Sequence, residues 1–155
     1  MTKTVKYEHG DLFSFPINNC IIPHVTNDIG KWGSGFVIPL GNKYPLSRET
    51  YLDECPRIGE TQIIKVDEIN NIFVANMTAQ KNLISLENPH PLDYFKLSEC
   101  MDHVRKFIIE HKNDKLSIHA PRFGSERAGG DWMIIEKHIE TMWLDIADVT
   151  IYIYP

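Results

Sequence analysis

Two glycine-bearing segments carry the residue types in this sequence that could hold an anionic ligand. The first, HVTNDIGKWGSGF at 24–36, begins inside the apolar run CIIPHV, and the second, PRFGSERAGGDW at 121–132, follows the run LSIHA. Glycine lets backbone N–H groups approach an anion closely, and the second segment runs into a predicted helix N-terminus, where the helix dipole favours negative charge. Ligands of open α/β sheets bind beyond the carboxyl ends of strands, so we expect both segments to face one crevice.

Other kinds of site have little support. The chain contains neither GxxxxGK[ST] nor GxGxxG, so a turn remains the alternative interpretation of each glycine segment. No GxSxG or HExxH motif occurs, and the seven histidines are best explained as surface or internally satisfied residues. The three cysteines, Cys20, Cys55 and Cys100, are widely separated and form no zinc pattern. We therefore expect reduced thiols, a cytoplasmic protein, no metal and no cofactor.

The length and charge of the chain further limit the kinds of protein it can be. The 155 residues predict a single domain over 1–155, with 21 acidic against 16 basic side chains and a formal charge of −5. Because the signs alternate locally, an extended nucleic acid is a poor partner. No apolar run approaches the roughly 18 residues that cross a bilayer, which predicts neither a membrane span nor a signal peptide. No apolar stripe is left over after the predicted core, which favours a monomer.

The elements that must position these segments follow from apolar patterning. Short β-branched runs predict strands at 4–7, 20–25, 61–66, 72–76, 116–120 and 149–154. Apolar residues at helical spacing predict helices at 94–111 and 132–146, with Asp93 and Asp131 as N-caps, and a shorter helix at 46–55. The alternation predicts an α/β or α+β sandwich with a mixed sheet. The unpatterned stretch 80–92 is long enough to be a functional loop.

The order of five segments resembles the macrodomain family of ADP-ribose binders. These are GDL at 10–12, HVTNDIGKWGSGF, VANMTAQ at 74–80, IHAPRFGSERAGGDW at 118–132 and IYIYP at 151–155. The Trp32-Gly33 step and the APRFG segment are the most specific matches. The resemblance is to the branch of remodeller-type and small bacterial and phage macrodomains, related to terminal ADP-ribose protein glycohydrolase. It implies a three-layer α/β/α sandwich with a central mixed sheet.

The resemblance also implies the ligand contacts. Asp11, beside Leu12, would accept a hydrogen bond from the adenine amino group, and Tyr154 would lie beside adenine. Asn27 would contact the distal ribose. The alternatives are a turn-capping Asp11, an Asn27 that belongs only to a turn, and an edge or core Tyr154. The implied diphosphate loops comprise Trp32, Gly33, Ser34, Gly35 and Phe36, and then Arg122, Gly124, Ser125, Glu126, Arg127, Ala128, Gly129 and Gly130.

Departures from the family pattern bear on mechanism. Ala79 and Ala128 stand where the glycohydrolase has its lysine nucleophile and its acid, and Lys81 would replace the lysine only after a register shift. A covalent mechanism is therefore not supported, and a water held by Asn27, Asp28 and Gln80 is the expected attacking group. Asp28 is the strongest base of the three, or else a loop cap. The implied substrates are ADP-ribosyl esters of protein Asp or Glu, or ADP-ribose 1″-phosphate.

A second class of function stays open. A non-catalytic reader would bind ADP-ribose or ADP-ribosylated proteins without turnover, and the missing lysine and acid favour it. A domain with no second module to recruit favours the enzyme instead. Binding of RNA or poly(ADP-ribose) is a third and weaker alternative, because the chain lacks a basic stripe.

Overall fold

The computed structural model describes residues 3–154, and within that range the chain forms one mixed six-stranded sheet. The strands are β1 (Lys6–His9), β2 (Cys20–Asn27), β3 (Thr61–Asp67), β4 (Ile72–Gln80), β5 (Ser117–Pro121) and β6 (Val149–Ile153). Their spatial order is β1-β6-β5-β2-β4-β3; β3 is antiparallel to β4, and the other neighbours are parallel. The mixed sheet and its six strands are confirmed, although β1 begins two residues later than the predicted strand at 4–7, and β2 and β4 extend further toward their carboxyl ends than predicted.

Four α-helices lie in this part of the chain: α1 (Val37–Lys43), α2 (Pro45–Glu54), α3 (Tyr94–Glu110) and α4 (Trp132–Met142). The predicted caps of the two long helices are confirmed, because the Asp93 side chain accepts from the Lys96 N–H at 3.0 Å and Asp131 from the Met133 N–H at 2.9 Å. Two short 3-10 turns, Leu12–Ser14 and Lys112–Asp114, complete the elements.

Two helix predictions need correction. Helix α4 ends at Met142 rather than at 146, because the chain turns at Trp143 to bury its indole, whose Nε1 donates to the Met101 carbonyl at 3.0 Å. Helix α1 was not predicted, since Pro39 and Gly41 fall inside it and both usually mark loops. Pro39 is tolerated because it lies in the first turn, where the backbone N–H has no intrahelical acceptor.

Apolar side chains fill both faces of the sheet. Along β2, Ile21 packs into the cluster beneath α3 and α4, whereas Cys20 and Ile22 pack into the cluster beneath α1 and α2. Every residue of β4 is buried, as is typical of a strand covered on both sides. The arrangement is the predicted three-layer α/β/α sandwich.

The sheet order brings the predicted ligand segments together. Strands β5, β2 and β4 are adjacent and parallel, so their carboxyl ends lie at one edge and the segments that follow them are neighbours. The residue after β6, Tyr154, reaches the same edge, as does Asp11, which follows β1. The fold thus places both glycine segments, loop 81–91, the segment after β1 and Tyr154 around one crevice.

Three broader expectations concern membrane spans, metal binding and the number of domains. Among residues 3–154, even the 17-residue helix α3 lacks the length and apolar character of a bilayer-crossing helix. Across the same residues, no three His, Cys, Asp or Glu side chains lie close enough to hold a metal ion. A single domain over 1–155 stays a prediction, and positions 1, 2 and 155 of it lie outside the described residues.

Candidate functional site

A cavity of about 670 Å³ opens at the carboxyl edge of the sheet. Segments after β1, β2, β5 and β6 and the end of β4 contribute to its wall. Strands β6 and β4 are three strand spacings apart, so the cavity extends roughly 14 Å along the edge at about 4.8 Å per spacing. Its shape therefore fits an elongated ligand with chemically different ends.

Most of the residues predicted to bind or act on a ligand line this cavity. The cavity-lining residues among them are Asp11, Leu12, Ser34, Gly35, Phe36, Gln80, Arg122, Gly124, Glu126, Arg127, Ala128 and Tyr154. The others belong to the same segments but are not part of the wall; they are Asn27, Asp28, Trp32, Gly33, Ser125, Gly129 and Gly130. Lys81 also lies outside the wall, and Ala79 is buried in the core under α3. The ligand-binding and catalytic roles predicted for both sets of residues stay predictions.

One end of the cavity combines a carboxylate with aromatic rings. Asp11 caps the 3-10 turn, its Oδ1 accepting from the Phe13 N–H at 3.0 Å, and Oδ2 is the oxygen that would accept from a ligand. The Phe13 ring stacks on Phe36 with centroids 5.4 Å apart, and Tyr154 is largely exposed at the mouth. This end offers flat apolar faces and one strong acceptor.

Asn27 holds the turn after β2. Its Oδ1 accepts from the backbone N–H groups of Ile29 at 3.2 Å and Lys31 at 3.1 Å, and from the Tyr51 hydroxyl at 2.9 Å. Its Nδ2 donates to the Lys31 carbonyl at 2.8 Å. Since both the oxygen and the nitrogen of its side-chain amide form hydrogen bonds within the chain, Asn27 fixes the backbone path of the first glycine segment.

Trp32 supports the first segment from behind. Its ring packs edge-on against His24 with centroids 5.5 Å apart, and Tyr51 lies at the same distance on another side. Its Nε1 is buried and has no hydrogen-bond partner within residues 3–154. A Cβ at Gly41 would lie 2.8 Å from that nitrogen, so only glycine lets α1 approach the indole. Trp32 is thus explained by packing of the loop, whereas no contact among the described residues requires a glycine at Gly33.

Asp28 and Gln80 join the first segment to loop 81–91. Asp28 Oδ1 accepts from the Asn82 N–H at 2.8 Å, and Gln80 Nε2 donates to the Asn82 carbonyl at 2.9 Å. The Asp28 N–H also donates to the Gln80 carbonyl at 3.0 Å. Asp28 is therefore a loop anchor in this structure, whereas Gln80, although buried, lines the cavity and keeps its Oε1 for a ligand.

The second glycine segment is shaped by neighbouring backbone. Gly129 has a φ of +69°, and a Cβ there would lie 2.6 Å from the Pro89 carbonyl oxygen. A Cβ at Gly130 would lie 2.4 Å from the carbonyl oxygen of Gly124. Ser125 Oγ donates to the Arg122 carbonyl at 2.7 Å and closes the turn. These residues fix the loop through contacts within the chain.

Two arginines of the second segment face the cavity. Arg122 forms a 3.6 Å ion pair with Glu126, and Arg127 extends across to the first segment, where its Nε lies 3.5 Å from the position of a Cβ on Gly35. The two glycine segments therefore approach each other over the middle of the cavity with a guanidinium between them. A diphosphate placed there gains a charged donor as well as backbone N–H groups.

His24 is a cavity residue that sequence reasoning did not select. It is 2% exposed, and its Nε2 lies 2.5 Å from Asn76 Oδ1. Asn76 Nδ2 donates to the Ser47 carbonyl and to Gln62 Oε1, both at 3.0 Å, which fixes the amide and makes its Oδ1 an acceptor. His24 therefore carries its proton on Nε2, and Nδ1 is the acceptor of the ring.

Burial also fixes the charge of His24. Desolvation lowers the pKa of the imidazole to about 4, so the ring is neutral at pH 7. The signal in the sequence was a histidine in an otherwise apolar strand, three residues before Asn27. That pattern does not reveal Asn76, which lies 52 residues further along the chain and orients the ring.

Fold and cleft together define an α/β domain with an elongated cavity at the carboxyl edge of its sheet. A protein from Bacteroides thetaiotaomicron of solved structure is 32% identical, with a TM-score of 0.82 over 96% of this chain and 98% of that one. A macrodomain protein from Streptomyces coelicolor is 25% identical, with a TM-score of 0.78 over 97% and 99% of the two chains.

A curated relative points the same way. The ADP-ribose 1″-phosphate phosphatase of Candida albicans is 25% identical over 88% of this chain and 92% of its own. No family model matches the sequence. The chain thus has the macrodomain fold and is similar over most of its length to a macrodomain protein of solved structure.

Proposed function

We propose that this protein binds ADP-ribose in the cavity and hydrolyses ADP-ribose conjugates at the distal ribose. The observation that carries the proposal is the polarity of one continuous cavity: a carboxylate with aromatic rings at one end, glycine segments with arginines in the middle, and neutral hydrogen-bonding groups at the other. The relative from Candida albicans, named for acting on ADP-ribose 1″-phosphate, supports the same ligand class.

Adenine occupies the Asp11 end in this proposal. The exocyclic amine is a donor that matches Asp11 Oδ2, and the flat base packs against aromatic rings such as Phe13 and Tyr154. The diphosphate then falls between the glycine segments, where Arg127 and backbone N–H groups neutralise its charge. The distal ribose reaches the end of β4, beside Gln80.

Hydrolysis at that end proceeds by water attack. The water oxygen bonds to the anomeric carbon of the distal ribose, the bond from that carbon to the carboxylate or phosphate breaks, and the released carboxylate or phosphate takes up the water proton through solvent. Gln80 Oε1 is the neutral acceptor that holds and orients that water. Asn27 and Asp28 act by fixing the turn and the loop that frame it.

The substrates proposed are ADP-ribosyl esters on Asp or Glu of proteins and ADP-ribose 1″-phosphate. An ester carries a good leaving group, so a site without a covalent nucleophile is sufficient. We propose further that the protein acts as a monomer in the cytoplasm. Its three cysteines are free thiols, two of them buried, in keeping with a reducing compartment.

The first experiment is calorimetric titration with ADP-ribose, with AMP and NAD as controls. We expect micromolar binding of ADP-ribose that Asp11→Ala weakens by about tenfold, the value of one hydrogen bond to a charged group. Absence of binding to the wild-type protein would refute the proposal.

Turnover is tested separately with Gln80→Ala. We expect this variant to bind free ADP-ribose within about threefold of wild type while releasing ADP-ribose from ester conjugates about 10- to 100-fold more slowly, since it loses a group that orients the attacking water. Equal loss of binding and rate would instead assign Gln80 to ligand binding alone.

A non-catalytic reader is the second candidate. One observation favours it: two carboxylates that could serve as a general base are engaged within the chain. Asp28 accepts a hydrogen bond from the Asn82 N–H, and Glu126, in the cavity wall, forms an ion pair with Arg122. In that case the wild-type protein binds ADP-ribose and ADP-ribosylated protein but releases nothing from either ester or phosphate conjugates.

A further inference from the structure

The second glycine segment places a carboxylate in the cavity wall beside its two arginines. Among residues 3–154, the charged side chains of the wall are Asp11, Arg122, Glu126 and Arg127, so their formal charges cancel. Asp11 belongs to the segment after β1, whereas the other three lie in one turn after β5. An anion in the middle of the cavity therefore meets two guanidinium groups and one carboxylate at close range.

The two arginines differ in their partners. Arg122 Nη2 lies 3.6 Å from Glu126 Oε1. Arg127 forms no ion pair with any described carboxylate and extends instead across to Gly35. Arg127 is therefore available to an anion at once, whereas Arg122 becomes available only when it leaves Glu126.

We propose that Glu126 sets the affinity of the cavity for ADP-ribose, because it competes with the diphosphate for Arg122. This inference rests on the proposed function. At 3.6 Å the pair is longer than a hydrogen bond, and exposed pairs of this kind are weak, so a diphosphate with several charged oxygens displaces the carboxylate. Breaking the pair still costs free energy, and ADP-ribose binds less tightly by that amount.

The exchange of partners requires only rotation of side chains. Ser125 Oγ donates to the Arg122 carbonyl at 2.7 Å, and the Gly129 N–H donates to the Glu126 carbonyl at 3.2 Å, so the backbone of the turn is fixed at both residues. The side chains of Arg122 and Glu126 are 37% and 75% exposed, which leaves both free to turn. Removal of the Glu126 carboxylate should therefore change the charge of the wall and leave the path of the loop unchanged.

A carboxylate at this place suits turnover. Hydrolysis of a conjugate leaves free ADP-ribose, which carries the same diphosphate as the substrate. Because the diphosphate is remote from the bond that breaks, contacts to it hold substrate and product alike and do not speed the chemical step. A carboxylate that weakens these contacts promotes release of the product, a step that limits the turnover of many enzymes.

The test is calorimetric titration of the wild type and four variants with ADP-ribose. Glu126→Gln removes the charge and keeps the size of the side chain, and Arg122→Gln does the same for its partner. The double variant Arg122→Gln/Glu126→Gln removes both charges. Glu87→Gln is the matched control, because Glu87 is an exposed carboxylate of loop 81–91 outside the cavity wall. Thermal unfolding confirms that each variant folds.

We expect Glu126→Gln to bind ADP-ribose about three- to fivefold more tightly at low salt, the effect of one exposed ion pair, and Glu87→Gln to stay within about 1.5-fold of wild type. Arg122→Gln and the double variant should agree within about 1.5-fold, because without Arg122 there is no partner for which Glu126 competes. At about 0.5 M salt the gain in Glu126→Gln should fall below about twofold, since exposed charges are screened.

Unchanged or weaker binding by Glu126→Gln overturns the inference, because Glu126 then has no effect or orients Arg122 for the ligand. A gain of the same size when Glu126→Gln is added to Arg122→Gln also overturns it, since direct repulsion of the diphosphate then explains the effect. In both cases the wild type still binds ADP-ribose and the proposed function stands. Absence of ADP-ribose binding by the wild type overturns both.

Discussion

Gly129 offers a direct test of how the second glycine segment holds its shape. Its φ of +69° lies in the left-handed region, and a Cβ would sit 2.6 Å from the Pro89 carbonyl oxygen and 3.3 Å from His90 Cα. The backbone conformation costs an L-residue about 1–2 kcal/mol. Pushing loop 81–91 aside adds about 1–3 kcal/mol, as other forced overpacking does.

Gly129→Ala also gains about 0.4–1 kcal/mol from a less flexible unfolded chain, so we expect a net loss of about 2–4 kcal/mol of unfolding free energy. Small domains are stable by only about 5–15 kcal/mol, so this loss is readily measured as a lower midpoint in urea unfolding at unchanged slope.

Two further glycines separate the contributions. Gly30 has a φ of +75° but nothing within 4 Å of its Cβ position, so Gly30→Ala carries the conformational cost alone, about 1 kcal/mol. Gly33 has neither a left-handed φ nor a close neighbour, so Gly33→Ala should stay within about 0.5 kcal/mol of wild type. If Gly129→Ala is no more destabilising than Gly30→Ala, the contact with Pro89 does not shape the loop and the reasoning is wrong.

Two more predictions concern His24 and Asp11. The pKa of His24 is about 4 in the folded protein and 6.5 ordinarily, so between these values the unfolded chain binds the extra proton. The free energy of unfolding should therefore be highest above pH 6.5 and fall by up to about 3 kcal/mol as the pH drops toward 4. Burial lowers the pKa of His119 too and adds in the same direction, so the readout is the difference in pH slope between wild type and His24→Gln in urea unfolding from pH 7 to 5. An unchanged slope would contradict a buried neutral His24. Asp11→Asn keeps the cap on Phe13 but loses the charge, whereas Asp11→Ala loses both. Thermal unfolding should therefore show a loss of about 1 kcal/mol of stability, due to the missing cap, only in Asp11→Ala. Calorimetry should show weaker ADP-ribose binding in both variants. An equal loss of stability in the two variants would mean that the cap does not depend on the side-chain oxygen.

The sequence was informative where local pattern decides structure. The strands and the two long helices follow from apolar spacing, and Asp93 and Asp131 cap as their side chains require. Helix α1 was missed because Pro39 and Gly41 are poor helix formers. Its packing against Trp32, which the sequence does not reveal, stabilises the helix. Strand order was likewise beyond local pattern, because it depends on contacts between distant segments.

At the site, too, local pattern predicts some features, and contacts between distant residues decide the others. The glycine segments were selected because their residue types are unusual after buried strands, whereas Gln80 was selected through the family resemblance; parts of both segments and Gln80 line the cavity. Which side chains point into the cavity depends on partners far along the chain: Tyr51 and Lys31 hold Asn27, and Asn76 turns His24 into an acceptor. A motif names the residues at a site, and hydrogen-bond partners decide which of them remain available to a ligand.

The glycines of the second segment are explained by packing within the chain. Glycine at a ligand loop is commonly explained by close approach of the ligand, yet Gly129 and Gly130 are required by Pro89, Leu92 and the Gly124 carbonyl, all within this chain. A loop whose shape is set by its own packing is already ordered before a diphosphate arrives, so less binding energy is lost to ordering it. The same contacts tie the second segment to loop 81–91, whose other end holds Asp28 and Gln80. A change in loop 81–91 should therefore affect both the middle and the distal end of the cavity.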